Sequence, residues 1–236
     1  MSDEETIRKS VQWVEENKDS ILQNVVLDRK PQKAKKCIFM AGSPGAGKTE
    51  TVRRLRLRET FTVLEADEIR ELNPFYTKTD GTKKGNAHLM QKAASAGLQY
   101  CRKYCIDEGI AFMNDTTFSN RGSIDLVKNL LNRGWRVSVL FVFRHPQKAW
   151  GFTKVRESKE GRHVPAESFA ESFTGMVANI QHIQKKYKNV RILFGVREGA
   201  HLARFVDMKD NPHILVENKI DTFDKNTILH IIQNGV

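Results

Sequence analysis

Eight consecutive residues of the sequence have the types and the spacing of a loop that binds phosphate. They are Gly42, Ser43, Pro44, Gly45, Ala46, Gly47, Lys48 and Thr49. Their pattern, G-x-x-x-x-G-K-T, lets consecutive backbone N–H groups point at one phosphate group. Lys48 can reach the β- and γ-phosphates of a nucleotide, and the hydroxyl of Thr49 can bind Mg²⁺. We therefore predict that these residues bind the phosphates of a nucleotide and that Thr49 can be a ligand of Mg²⁺.

The segments on either side of this loop favour the same interpretation. Residues 37–41 form a short apolar run that is typical of a buried strand, and residues 50–58 continue from the loop as a predicted helix. A helix that begins at the loop directs the positive end of its dipole at the phosphates. The alternative is a glycine-rich turn that only connects two elements of the core.

Transfer of a phosphoryl group also requires a base and groups that hold the acceptor. Asp67 ends a predicted strand over residues 61–67, where a carboxylate would face the γ-phosphate, so it is our candidate for the base. Asn114 and Asp115 end the next predicted strand and could hold acceptor hydroxyl groups. The alternative for these residues is that they cap the following helix or turn.

Basic residues after the fourth predicted strand could stabilise the charge of the transferring phosphate. These residues are Lys154, Arg156, Lys159 and Arg162. They lie in a basic and polar segment, about residues 145–165, that we interpret as a lid. The alternative is a solvent-exposed basic helix, and the spacing alone does not identify which cations reach the phosphate.

The order of the predicted elements indicates an α/β fold, a parallel sheet with helices on both faces. Strands are predicted at 37–41, 61–67, 110–113, 136–143, 190–194, 204–206 and 214–216, and helices at 4–26, 50–58, 68–72, 87–108, 121–132, 166–187 and from 225. Ligands of such sheets bind beyond the carboxyl ends of the strands, which predicts one edge for the loop, Asp67 and Asn114–Asp115. We divide the chain into an N-terminal helix with a basic linker, residues 1–36, and a single globular domain, residues 37–236.

The composition limits the classes of partner. The 236 residues carry a net charge of +11, which favours phosphorylated ligands, acidic proteins or nucleic acid, but no nucleic-acid-binding motif accompanies this charge. No apolar run approaches the roughly 18 residues that span a membrane, and residues 1–5 do not resemble a secretory signal. The three cysteines, Cys37, Cys101 and Cys105, are better explained as reduced thiols than as a disulfide or metal site. We expect a cytoplasmic protein that binds no membrane, and nucleic acid is not its favoured partner.

A second nucleotide-binding pattern, N-K-x-D, occurs at residues 218–221 after the apolar run 214–216. Small GTPases read guanine with this pattern, but they also need D-x-x-G at the end of a core strand, and the sequence contains no D-x-x-G. We therefore interpret residues 218–221 as a surface turn and keep a GTPase switch as the weaker alternative.

Segments that follow one another in a fixed order resemble the zeta-toxin kinases. They are residues 42–49, 63–67, 112–116, and the pair 154–158 and 161–165. The first resembles that family's loop G-x-P-G-x-G-K-T, the second its strand ending in D-x-D, the third its strand end I-E-G-T, and the last two its arginine segments. In the second segment Glu65 corresponds to the first acid and Asp67 to the base. The combination covers roughly residues 37–200 and is more specific than any one segment.

The resemblance implies a P-loop kinase that uses ATP and Mg²⁺ to phosphorylate the 3′-hydroxyl of the sugar in UDP-N-acetylglucosamine or a related nucleotide sugar. Such proteins are toxins, because the phosphorylated precursor blocks cell-wall synthesis, and a partner antitoxin often neutralises them. On this model Lys48 and Thr49 handle ATP and Mg²⁺, Asp67 takes the hydroxyl proton, and Arg156 and Arg162 stabilise the transferring group. The implied acceptor-binding residues are Glu65, Asp67, Asn114, Asp115 and Thr116.

The third segment departs from the family pattern. The family's acidic residue falls on Asn114, and Asp115 replaces the glycine that follows it. Either the acid has moved by one position or the contact with the acceptor is neutral, so the departure concerns the acceptor more than the reaction. The alternatives are a kinase of another nucleotide or of nucleic-acid ends, and a non-catalytic nucleotide-binding protein.

Overall fold

The computed structural model describes residues 1–29, 31–77, 85–160, 163–199, 201–202 and 204–234. The helices in this part of the chain are α1 (Asp3–Glu16), α2 (Lys18–Val25), α3 (Lys48–Arg54), α4 (Ala66–Leu72), α5 (Gln91–Asp107), α6 (Arg121–Asn132), α7 (Pro146–Glu160), α8 (Ala166–Lys186), α9 (Ile214–Glu217) and α10 (Lys225–Asn234). The strands are β1 (Lys36–Ala41), β2 (Thr62–Leu64), β3 (Phe112–Asp115), β4 (Arg136–Phe143), β5 (Arg191–Glu198), β6 (His201–Leu202) and β7 (Val206–Asp207). Within the described ranges no helix is long and apolar enough to cross a membrane.

The chain divides into two compact units, and each of them is assembled from separated segments. The first unit consists of Met1–Lys36, Arg56–Asn114 and Val155–His163. The second unit consists of Cys37–Leu55, Asp115–Lys154 and Val164–Val236. The helix α7 contributes residues to both units, through Lys154 to the second and from Val155 to the first.

The first unit is organised around the long helix α5. The helices α1, α2 and α4 all pack on α5. Gly97 in α5 permits the close approach of α4, because a Cβ atom at this glycine would lie 2.8 Å from Cγ2 of Ile69. The strands β2 and β3 pair in parallel, with Leu64 opposite Asn114. Packing of α4 on α5 therefore fixes the start of α4, where Asp67 lies.

The second unit contains the other strands. β1, β4, β5 and β6 lie side by side in that order, and β7 also pairs with β5. β4 and β5 are parallel, from Ser138 opposite Arg191 to Phe143 opposite Val196, whereas β6 and β7 are antiparallel to β5. The carboxyl ends of the parallel strands β4 and β5 therefore lie next to each other. In sheets of this class, ligands bind beyond the carboxyl ends of the strands.

Local sequence explains why α6 has sharp boundaries. The Asn120 side chain accepts a hydrogen bond from the backbone N–H of Ser123 and so caps the first turn. Val127 and Leu130 face the core, and Gly134 with a φ of 75° ends the segment in the left-handed region. The helix was predicted from sequence with the same limits, residues 121–132, and with Gly134 as the residue that ends it.

The predicted α/β fold is confirmed, and several predicted elements are corrected. The predicted helix over residues 4–26 is two helices, α1 and α2, because Asn17 has non-helical backbone angles. The predicted strand at 214–216 is wrong, since these residues form the short helix α9. A three-residue apolar run is equally compatible with one helical turn and with a strand.

Candidate active site

The phosphate loop connects β1 to α3 in the second unit. Gly45 and Gly47 have φ angles of 75° and 92°, a region that other residues rarely adopt. Gly45 also allows a close approach of α7, because a Cβ atom there would lie 2.1 Å from the carbonyl oxygen of Ala149. Gly47 is the residue before the first turn of α3, which starts at Lys48. The loop therefore depends on both glycines for its shape.

The lysine of this loop is held across the loop itself. The Nζ atom of Lys48 donates hydrogen bonds to the carbonyl oxygens of Gly42, at 2.9 Å, and Ser43, at 3.2 Å. Thr49 is exposed in the first turn of α3. The ammonium group of Lys48 thus lies against carbonyl oxygens of the loop, and contact of Lys48 with phosphate and of Thr49 with Mg²⁺ stays a prediction.

The segment after β3 lies against the phosphate loop. The backbone N–H of Gly42 donates a long hydrogen bond, 3.5 Å, to the carbonyl oxygen of Thr117. The Thr116 hydroxyl accepts a hydrogen bond from the N–H of Phe118, which has a φ of 60°. Asp115 and Thr116, which are predicted to bind the substrate that accepts the phosphoryl group, belong to the same unit as the phosphate loop.

Asp67 lies in the first turn of α4, since β2 ends at Leu64 and the predicted strand over 61–67 is too long. Its carboxylate forms an ion pair with Arg70, one helical turn further on. Arg70 is buried and donates a second hydrogen bond, 2.8 Å long, to Oε1 of Gln91 in α5. Asp67 is itself half exposed, with 48% of its side chain accessible. A buried arginine thus orients a carboxylate that stays accessible to a substrate.

Electrostatics connect this pair to another predicted catalytic residue. Burial lowers the pKa of the Arg70 guanidinium; the charge of Tyr76 opposes this shift, and the positive charge of Arg156 adds a smaller contribution that lowers the pKa. Asp67 and Arg156, which the sequence analysis assigned to one reaction, both belong to the first unit, and their joint role in catalysis stays a prediction.

Glu65 precedes α4 and has its own cationic partner. Its carboxylate lies 2.7 Å from Arg58, and Arg58 also lies 2.9 Å from Glu68. Asn114, the other predicted acceptor residue of this unit, is buried at the end of β3 opposite Leu64. Glu65 is thus engaged in an ion-pair cluster at the start of α4.

The predicted lid is mostly helical, because α7 occupies residues 146–160. Lys154 stacks on the ring of Trp150, with its Nζ atom 4.5 Å from the ring centre. Lys159 is part of this helix, and Arg162 lies outside the described residues. Within the described ranges, no three His, Cys, Asp or Glu side chains converge as a metal cluster would require.

Several charged or polar residues of these regions were missed by the sequence analysis. They are Arg70, Gln91, Arg144 and Arg197. Arg70 could have been found from its spacing of three residues after Asp67, which places both on one helical face. Arg197 was missed because the predicted strand ended at 194, whereas β5 continues to Glu198.

The N-K-x-D pattern does not follow a strand. It begins after the helix α9, and the Asn218 side chain donates a hydrogen bond to the carbonyl oxygen of Ile214 within that helix. Lys219 adopts a left-handed conformation with a φ of 54°. This local role of Asn218 supports the interpretation of residues 218–221 as a turn.

Comparisons with known proteins agree with this fold. The sequence matches the family model described as Zeta toxin over residues 20–211. A comparison with curated proteins finds no significant match. Among solved structures, the chain is similar to one from the PezAT chromosomal toxin–antitoxin system of Streptococcus pneumoniae, with 14% identity, a TM-score of 0.62, and coverage of 97% of this chain and 93% of that chain. It is also similar to the AvrRxo1-ORF1:-ORF2 structure with ATP, with 11% identity, a TM-score of 0.59, and coverage of 93% and 73%.

The mostly parallel sheet and the glycine-rich loop with its lysine define the class of this protein as a P-loop nucleotide-binding protein. The family model covers most of the sequence. The chain belongs to the zeta-toxin family of ATP-dependent kinases.

Proposed function

We propose that this protein transfers the γ-phosphoryl group of ATP, with Mg²⁺, to a hydroxyl group of UDP-N-acetylglucosamine or a related nucleotide sugar. The observation that carries the proposal is the half-exposed carboxylate of Asp67, held by an ion pair with the buried Arg70. A carboxylate that is oriented but accessible suits a group that accepts a proton from a bound hydroxyl.

The phosphate loop binds the nucleotide on this proposal. Lys48 neutralises charge on the β- and γ-phosphates, and the loop N–H groups hold their oxygens. The Thr49 hydroxyl, exposed beside Lys48, fits Mg²⁺, which needs few protein ligands because phosphate oxygens and water complete its shell. When bound, Mg²⁺ would supply positive charge against the developing charge of the transferred group.

The acceptor is bound, on this proposal, by residues at and after the ends of β2 and β3. Asp67 accepts the proton of the attacking hydroxyl, while Arg156 and Arg162 stabilise charge on the transferring group. The residues proposed to contact the sugar or its diphosphate are Glu65, Asn114, Asp115 and Thr116. A polar set of amide, carboxylate and hydroxyl groups suits a ligand rich in hydroxyls.

A toxin role and an antitoxin partner are part of the proposal. They are supported by family membership and by the similar fold from the PezAT toxin–antitoxin system. We also propose that the protein acts in the cytoplasm, where its three buried thiols would stay reduced. Expression of the wild type should arrest bacterial growth, whereas Lys48→Ala should not. Unaffected growth, with an active purified enzyme, would argue against the toxin role.

The direct test is incubation of the purified protein with [γ-³²P]ATP, Mg²⁺ and a panel of acceptors. The panel contains UDP-N-acetylglucosamine, other UDP-sugars, NAD, free nucleosides and oligonucleotides. We expect label on a UDP-sugar, and loss of that label in Lys48→Ala and in Asp67→Asn. Lys128→Ala and Asp125→Asn change the same residue types at exposed positions of α6 and should retain activity.

The outcomes of this test separate the alternatives. Label only on oligonucleotide ends, with an affinity that falls as salt rises, would favour the nucleic-acid kinase that the net charge of +11 allows. Label only on another nucleotide would retain the mechanism and replace the acceptor. Binding of ATP without label on any acceptor would favour a non-catalytic nucleotide-binding protein. Full turnover in Asp67→Asn would rule out Asp67 as the base.

A further inference from the structure

Two arginines of the second unit lie beside the phosphate loop. Neither is among the residues assigned to the proposed phosphoryl transfer. Arg144 immediately follows β4, and Arg197 is the penultimate residue of β5. Because β4 and β5 are parallel neighbours, these residues extend from adjacent strand ends. We call them the arginine pair.

Arg144 is held rigidly in a buried position. Only 4% of the residue is exposed, and its guanidinium carbon lies 4.1 Å from the ring centre of Phe152 in α7. Its Nη2 atom donates a hydrogen bond of 2.9 Å to the carbonyl oxygen of Gly199. Its Nε atom is buried and has no hydrogen-bond partner in the part of the chain that the structure describes.

Arg197 connects the pair to the phosphate loop. Its Nη1 atom donates a long hydrogen bond, 3.5 Å, to the carbonyl oxygen of Gly47. The side chain lies so close to this glycine that a Cβ atom on Gly47 would be 2.6 Å from its Cδ atom. Its Nε atom is also buried without a partner among the described residues.

The two charges repel each other, and no ion pair with a described residue neutralises them. Burial lowers the pKa of Arg144, and the charge of Arg197 lowers it further, against an opposing contribution from Glu50. Among the described residues, no carboxylate lies within ion-pair distance of Arg144 or Arg197. Buried guanidinium N–H groups without a hydrogen-bond partner, here the Nε groups of Arg144 and Arg197, are costly unless an anion binds them.

We propose that the arginine pair is an anion subsite that binds a phosphate group of the nucleotide held by the phosphate loop. The inference rests on the proposed nucleotide-dependent function and adds two binding residues to it. Guanidinium groups bind phosphate oxygens through paired N–H donors, and the Nε atoms supply such donors here. Contact of Arg197 with Gly47 puts the subsite at the loop, next to Lys48 and Thr49.

The test compares equilibrium binding of ATP and adenosine, by calorimetry with Mg²⁺, to the wild type, Arg144→Met and Arg197→Met. Each variant removes one guanidinium group and its hydrogen-bond donors, so each should bind ATP about tenfold more weakly or worse. Adenosine has no phosphate, so its binding should not change. The matched control is Arg136→Met, which removes an exposed arginine at the opposite end of β4 and should bind ATP as the wild type does.

Thermal unfolding without nucleotide checks that the variants remain folded. Loss of a buried charge that lacks a partner should leave the melting temperature unchanged or raise it. Should Arg144→Met fail to fold, Arg197→Met still tests the subsite, because Arg197 is partly exposed. Equal loss of ATP and adenosine binding would overturn the proposal, as would unchanged ATP binding in both variants. If the wild type binds ATP, these results overturn only the anion subsite and leave the proposed function standing. A wild type that does not bind ATP would overturn the proposed function and the subsite together.

Discussion

Arg70 determines the position of the carboxylate proposed to act as the base. It contacts Asp67 with one terminal nitrogen and Gln91 with the other, and it is 8% exposed. We expect Arg70→Met to lower kcat about 100-fold, because small displacements of a catalytic group cost rates of this order. The affinity for ATP should be unchanged, since the phosphate loop belongs to the other unit.

Steady-state kinetics and ATP titrations of the same preparation separate these quantities. Arg121→Met, which removes an exposed arginine from α6, is the control for loss of an arginine as such. A variant Arg70→Met with normal kcat would show that Asp67 does not need this partner. A parallel fall in ATP affinity would indicate a general structural defect instead.

At the scale of elements, a glycine in the phosphate loop cannot accept a larger side chain, whereas a glycine in α7 has space for one. Gly45 has a φ of 75° and would direct a Cβ atom to within 2.1 Å of the Ala149 carbonyl oxygen, whereas a Cβ atom on Gly151 in α7 would meet nothing within 4 Å. We expect Gly45→Ala to abolish ATP binding and to destabilise the fold by more than the roughly 1–2 kcal/mol of a left-handed residue. Gly151→Ala should stabilise it by about 0.5–1 kcal/mol, because alanine favours helices.

Urea unfolding and ATP binding of both variants would test this pair. The two substitutions add the same methyl group, so any difference between them reflects backbone conformation and space. Retained ATP binding in Gly45→Ala would mean that the loop adopts another shape when it binds the nucleotide.

Strong local signals explain which elements could be predicted from sequence. The strand β4 was predicted with its exact limits because six of its eight residues are large and apolar and Gly134 stands just before it. The phosphate loop was recognised because its chemistry requires fixed residue types at fixed spacing. The limits of β2 were wrong, since Glu65 and Asp67 continue an alternating pattern although the chain already turns into α4.

Contacts between distant residues could not be predicted in the same way. The contact of Arg70 with Gln91 and the approach of Arg197 to Gly47 depend on how helices and strands pack, which no local pattern records. The arginine pair also required the exact ends of β4 and β5. The candidate base and phosphate loop were therefore accessible from sequence, whereas the residues that support them were not.

At the scale of the whole molecule, two buried thiols should make the free energy of unfolding decrease at alkaline pH. Burial raises the pKa of both Cys101 and Cys105 from 9.0 to about 12. Between these values the unfolded chain loses thiol protons that the folded chain keeps, so stability is complete below pH 9 and falls as pH rises toward 12. The slope should be at most about 1.4 kcal/mol per pH unit for each thiol.

Urea unfolding at a series of pH values from 8 upward measures this slope. The double variant Cys101→Ala, Cys105→Ala is the control, because it retains the lysines and tyrosines that titrate in the same range. Its stability should fall less steeply than that of the wild type. Identical slopes for the two proteins would mean that these thiols ionise as easily in the folded chain as in the unfolded one.

The interleaving of the two units along the chain affects how the protein forms on the ribosome. Each unit uses three separated segments, and Arg197 reaches Gly47 across 150 residues of sequence. At a translation rate of about 5–20 residues per second, Arg197 is made roughly 8 to 30 seconds after Gly47. During this interval the nascent chain has the phosphate-loop motif without the strand that buttresses it. Premature termination before β5 would therefore release a fragment that contains the phosphate-loop residues but lacks Arg197.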